Sequence, residues 1–163
     1  MVITVSDSRT PSNDSTGELV AKLLERHGHS VVNRRLVADD IGAIRAALMS
    51  GVADTAIDVV VFAGGTGVSS RDVTPEAIEP LFVRKLPGFG EVFRQISFQE
   101  IGAAALLSRA TAGVIETTLV FALPGAPAAC EVAVDKLVGP MLGHAAGLLG
   151  KRNRSPAAAT PRS

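Results

Sequence analysis

The sequence predicts an α/β domain built on a doubly wound, mostly parallel sheet with an antiparallel edge. Three observations predict it. Apolar, β-branched runs of strand length alternate with amphipathic helical stretches, the pattern of parallel strands joined by helical crossovers. The run over residues 57–63 ends in Val59, Val60, Val61, Phe62 and Ala63, apolar without alternation, as a strand buried on both faces requires. That run breaks into Gly64, Gly65 and Gly67, three glycines in four positions, and continues to a helix start at Thr74, Pro75 and Glu76. A buried strand, a glycine loop and a helix start together form an anion site at the carboxyl edge of a parallel sheet.

Taken in order, residues 1–6 read as a first buried strand, with no signal-like segment ahead of it. Residues 7–14 form a polar loop containing Pro11. Ser15 and Glu18 have capping-box spacing, and Leu19, Val20, Leu23 and Leu24 give the apolar stripe of the helix that follows. His27 and Gly28 close it. Residues 30–36 read as a second strand. A second amphipathic helix carries Ile41, Ile44 and Leu48 and ends at Gly51. After the third strand, a short helix runs from a Thr74 cap to about Leu81. Pro87, Gly88, Phe89 and Gly90 precede a helix over residues 91–96, and the alanine-rich residues 102–107 read as helical and buried. Residues 112–116 and 118–123 are two strands whose tight connection at Glu116 and Thr117 makes the first an antiparallel edge. Pro124, Gly125, Ala126 and Pro127 lead into a last helix that Pro140 bends or restarts. Residues 1–150 are expected to form one domain. Residues 151–163, rich in Arg, Pro and Ala, are expected to be a disordered tail.

Composition narrows the function classes. Sixteen Lys and Arg balance sixteen Asp and Glu, and Trp and Tyr are absent, so neither a polyanion-binding face nor stacked bases are suggested and nucleic acid is not an expected partner. Cys130 is the only cysteine, which excludes an internal disulfide or a Cys-rich zinc site and fits a reducing, cytoplasmic setting. It reads as packing. No apolar run reaches membrane-spanning length.

The glycine loop is not a Walker A motif, since no Gly-Lys-Ser/Thr follows. It is a poor dinucleotide fingerprint, and no Gly-x-Ser-x-Gly elbow supports a serine hydrolase. What remains is a loop of backbone N–H groups with carboxylates near it, a combination that calls for Mg²⁺ between carboxylate and phosphate. Asp72 is a candidate because Thr74 and Pro75 fill the capping role. One of Asp39 and Asp40 is expected to cap the second helix. Asp7 is either an Asx-turn residue or part of the site. The helix after Ala126 and Pro127 has no side-chain cap, so its free N–H groups meet either a ligand or water. Arg71 and Arg109 are read as phosphate partners or as surface arginines, and Phe82, Phe89, Phe93 and Phe98 as core or subunit interface.

Gly64, Gly65, Thr66 and Gly67, followed by Arg71, Asp72, Val73, Thr74, Pro75, Glu76 and Ala77, resemble the signature of the MoaB/MogA family of molybdenum cofactor biosynthesis, whose module is also the G domain of gephyrin-type proteins. The resemblance continues in Val5, Ser6 and Asp7, in Asp39, in residues 87–91, in Leu107, Ser108 and Arg109, and in Leu123, Pro124 and Gly125. The first loop resembles the MoaB branch. The resemblance implies the three-layer α/β/α molybdopterin-binding fold, homotrimers or hexamers of two trimers, and binding of molybdopterin. In active members it implies adenylyl transfer from ATP to molybdopterin, with release of pyrophosphate. Asp39 and Asp72 take the place of the family's acidic pair that holds Mg²⁺. Ser6, Asp7, the loop over residues 64–67, the turn at Pro124, Gly125, Ala126 and Pro127, and Ser108 take the place of substrate contacts. The alternative is a non-catalytic molybdopterin carrier of the same pathway, favoured by the MoaB-like first loop and by Ala128 where relatives carry Lys or Asn near the helix start. A scaffold in the manner of gephyrin is a weaker third.

Overall fold

The computed structural model describes residues 1–149; the expected tail lies outside them. Six strands form one sheet in the order β2-β1-β3-β6-β5-β4. β1 (Val2–Val5), β2 (Arg34–Val37), β3 (Val59–Ala63) and β6 (Thr118–Leu123) are mutually parallel. β5 (Thr111–Ile115) runs antiparallel to β6, and β4 (Arg84–Lys85) antiparallel to β5. The antiparallel edge is therefore real, but β4 and not β5 stands outermost. Two exposed charged residues give no apolar signal, which is why β4 is invisible in the sequence. β2 is shorter than the expected run because its partner β1 is only four residues long.

Both faces of the sheet are covered, giving the three-layer α/β/α fold. Alternate strand residues point to opposite sides. Val2, Val61, Phe121 and Leu123 pack on one face against α1 (Ser15–Arg26), α4 (Pro87–Ile101), α5 (Pro127–Ala133) and α6 (Gly139–Leu148). Ile3, Val60, Phe62 and Val120 pack on the other against α2 (Ile41–Ala53) and α3 (Thr74–Ile78).

Several local expectations need correction. Asp14, not Ser15, caps α1: its Oδ1 accepts from the Gly17 amide at 2.9 Å. Its Oδ2 accepts from the β1 hydroxyl of Thr4 at 2.8 Å. Glu18 is engaged with Lys22 one turn on. Val73 precedes α3 without a side-chain cap, because the Thr74 hydroxyl donates instead to Gly64 O at 2.9 Å. α4 begins at Pro87, not Glu91. Gly90 sits inside it because a Cβ there would stand 2.5 Å from Ala110 O, so this glycine serves close packing and not a loop. Residues 102–107 form a 3₁₀ segment in which only Ala105 is buried; Leu106 is 71% exposed. The last helix widens into a π-turn over Val134–Val138 ahead of Pro140, which has no N–H to continue the α ladder. Phe93 is buried and Phe89 stacks on it, as the core reading expects, while Phe98 is exposed and falls to the subunit-interface side of that reading. Cys130 is buried, donates to Pro124 O, and burial pushes its thiol up to about 12, consistent with packing.

Candidate active site

The chain leaves β1 toward β2 on one side and reaches β3 on the other, so the sheet has its switch point between the carboxyl ends of β1 and β3. A cleft of about 570 Å³ opens there. Ser6 and Asp7 follow β1, Asp39 follows β2, and Gly64, Gly65, Thr66, Gly67 and Asp72 follow β3. Pro124, Gly125 and Ala126 follow β6, Ser108 enters from the loop before β5, and all of these line the cleft. Pro127 does not. It is the exposed first residue of α5 and has no N–H to give a ligand.

The glycine loop is shaped by its own neighbours. Gly64 (φ 116°) passes so close to β1 that a Cβ would stand 2.3 Å from Val5 O. A Cβ on Gly65 (φ 65°) would stand 2.3 Å from Thr74 Oγ1 and 2.6 Å from Asp39 Oδ1. A Cβ on Gly67 would stand 2.8 Å from Asp72 Oδ2. Two of the three glycines therefore make room for the two candidate carboxylates.

Asp40 is the residue that caps α2, accepting from the Ala43 amide at 2.8 Å. This frees Asp39 from capping, and its carboxylate instead accepts from the Val73 amide. Asp39 Oδ1 is buried with no hydrogen-bond partner, and no other buried side-chain N or O among the described residues is in that state. Burial, then the Asp72 and Asp7 charges, push the Asp39 carboxyl above its ordinary range, against a weaker pull from the Val73 amide and Arg71. Asp72 Oδ2 accepts from the Ser69 amide at 3.0 Å, so one of its oxygens also braces the loop.

Asp7 is not an Asx-turn residue. Its Oδ1 accepts from the Asp39 amide at 2.9 Å, and its other oxygen pairs with Arg71. These two contacts, the Asp39 amide first, hold its carboxyl below the usual range. Arg71 lines the cleft, so its phosphate-partner reading has the required placement. Arg109 does not line it: the guanidinium turns to the glycine loop, donating to Gly67 O and Asp72 O. Arg9 was not singled out by sequence reasoning, yet it lines the cleft and lies 3.6 Å from Asp14. Its placement follows from Asp14 being the α1 cap, a signal that the Asp14–Gly17 spacing carries.

Mg²⁺ is tested by the donor set. Among the described residues no group of three or more His, Cys, Asp or Glu side chains forms a closed metal site. A buried carboxylate oxygen without a partner, beside a second carboxylate and a loop of amides, fits an ion completed by water and phosphate.

Fold and cleft together define a doubly wound α/β protein with a candidate ligand site, lined by three aspartates and two arginines, at its switch point. Residues 1–144 match the family described as "Probable molybdopterin binding domain", and the chain belongs to that family, in its MoaB/MogA group. It is similar to molybdenum cofactor biosynthesis protein B of Bacillus subtilis (strain 168), 49% identical over 144 residues, which covers 88% of this chain and 85% of that protein. A crystal structure of a molybdenum cofactor biosynthesis protein B matches with a TM-score of 0.89 at 42% identity, over 92% of this chain and 94% of that one. The tungsten cofactor synthesizing protein MoaB from Pyrococcus furiosus matches with a TM-score of 0.76 at 39% identity, over 89% of this chain and 94% of that one. No helix among the described residues is long and apolar enough to cross a membrane.

Proposed function

We propose that this chain acts in molybdenum cofactor biosynthesis as a molybdopterin adenylyltransferase, using MgATP and working as a homotrimer or a hexamer of two trimers. The observation that carries the catalytic reading is Asp39: a buried carboxylate oxygen with no partner, released from capping by Asp40 and facing the Asp72 charge. Leaving such a group unsatisfied is unfavourable unless a ligand completes it. The family match supports the pterin and the pathway.

Asp39 and Asp72 would hold Mg²⁺, which supplies charge neutralisation between the carboxylates and the polyphosphate. The amides of Gly65, Thr66 and Gly67 would cradle phosphate oxygens, while the Gly64 amide is spent on Leu123 O at 3.0 Å. Asp7 orients the Asp39 backbone and holds Arg71 at the cleft mouth, where its guanidinium can meet phosphate. Ser108 and the Pro124–Gly125–Ala126 turn bound the pterin side. A terminal phosphate oxygen of molybdopterin attacks the α-phosphorus of ATP. The new P–O bond forms as the bond to the β-phosphate oxygen breaks, and pyrophosphate leaves. Catalysis here is positioning and charge stabilisation, with no covalent enzyme intermediate.

The second reading, a molybdopterin carrier without transfer, is favoured by the turn and helix start after β6, where Ala126, Pro127, Ala128 and Ala129 supply no polar side chain. Pyrophosphate release from MgATP, with and without molybdopterin, separates the two. Molybdopterin-dependent release from wild type, lost in Asp72→Asn while the oligomer persists, is expected. Assembled wild type that binds the pterin and releases nothing would hand the chain to the carrier reading.

A further inference from the structure

Resting on the adenylyltransferase reading, we infer that Arg109 is a positioning residue that fixes Asp72 and the glycine loop in register with Ser108, and so sets the grip on metal-bound nucleotide. Arg109 directly follows Ser108, which lines the cleft, and does not line it itself. Its backbone amide donates to Thr66 O at 2.9 Å. Its Nε donates to Gly67 O at 2.7 Å and its Nη2 to Asp72 O at 2.6 Å, while Nη1 pairs with the Glu76 carboxylate on α3. One residue thus ties four points across the glycine loop and α3 to the loop before β5 that carries Ser108.

Asp72 depends on that tie. Its carbonyl is held by Arg109, its Oδ2 accepts from Ser69, and Gly67 presses against the same oxygen with no room for a Cβ. These contacts leave the carboxylate a single position only while the backbone at Gly67 and Asp72 stays fixed. The planar guanidinium presents separate N–H donors in a rigid fork that can reach both carbonyls and the carboxylate at once. A lysine ammonium keeps the charge but gathers its donors on one atom, so it cannot span them.

The test compares wild type, Arg109→Lys and Glu76→Gln for binding of Mn²⁺ with α,β-methylene ATP, for thermal melting, and for pyrophosphate release. The expected result for Arg109→Lys is affinity for the Mn²⁺–analogue pair weakened about tenfold and release slowed about 10–100-fold, with the melting temperature moved by no more than about 3 °C. Glu76→Gln keeps the contacts to Gly67 and Asp72 and is expected to match wild type. Arg109→Lys with wild-type binding and release overturns the inference. Loss of its cooperative melt also overturns it, assigning Arg109 to the fold, and so does an equal loss in Glu76→Gln. Wild type that binds the analogue, responds to Arg109→Lys and yet releases no pyrophosphate leaves the inference standing and removes the transferase reading. Wild type that binds no analogue removes both.

Discussion

The helix entries at the carboxyl edge of the sheet are of two kinds. α1 and α2 are closed by carboxylates, Asp14 and Asp40, whose oxygens accept from amides three residues on. α3 and α5 follow Val73 and Ala126, neither of which caps through a side chain. At the first kind a carboxylate is consumed by the fold. At the second no side chain closes the helix, the Thr74 amide of α3 donating to Gly65 O at 3.0 Å, and the carboxylates nearby, Asp39 and Asp72, are not consumed by a helix cap. The adjacent pair Asp39 and Asp40 condenses this contrast into one dipeptide, with the Asp40 side chain spent on the cap and one Asp39 oxygen, Oδ1, left without a partner.

The contrast breaks most severely at Gly65. Gly65→Ala forces a Cβ into contact with Thr74 and Asp39 at a positive φ. It is expected to cost about 2–4 kcal/mol in denaturant unfolding and to abolish turnover, because Asp39 must move. Asp14→Ala tests the structural kind. It strips the cap and leaves the Thr4 hydroxyl and Gly17 amide without their acceptor, for an expected loss of about 2–3 kcal/mol by the same measurement. Asp40→Ala removes a more exposed cap and is expected to cost about 1 kcal/mol, with turnover kept once the protein is folded. The smallest effect has the opposite sign. Because burial and like charges hold the Asp39 carboxyl above its ordinary value of 3.8, its ionised form opposes folding, and Asp39→Asn relieves that. The penalty is absent below the ordinary value and develops as pH rises through the raised one. Without Mg²⁺, Asp39→Asn is therefore expected to melt slightly above wild type at pH 7, and calorimetry should show the gap closing as pH falls toward 4.

These particulars show what the sequence displays and what it hides. β3, β6 and the glycine loop were legible because both-face burial produces uninterrupted apolar runs and positive φ demands glycine. The acidic pair was legible as residues, since the family signature names the positions, but the division of labour between Asp39 and Asp40 was not: either can cap, and only the turn after β2 decides. The cap of α1 was misplaced by one residue because Ser15 and Asp14 are both good caps, and the choice rests on Thr4, ten residues away in the chain. The true start of α4 was hidden because Gly88 and Gly90 mimic a loop, although Gly90 serves close packing against Ala110. Arg109 was legible as an arginine near the site but not as one turned to the loop, since its acceptors are backbone carbonyls that carry no sequence signal.

The most direct test is molybdopterin-dependent pyrophosphate release by Asp39→Asn and Asp40→Asn, assayed side by side with wild type. The expected result is a loss on the order of 100-fold in Asp39→Asn and near wild-type release in Asp40→Asn, since asparagine also caps a helix. Equal losses in the two variants, or a loss confined to Asp40→Asn, would contradict the assignment of Asp39 to the ligand and Asp40 to the fold.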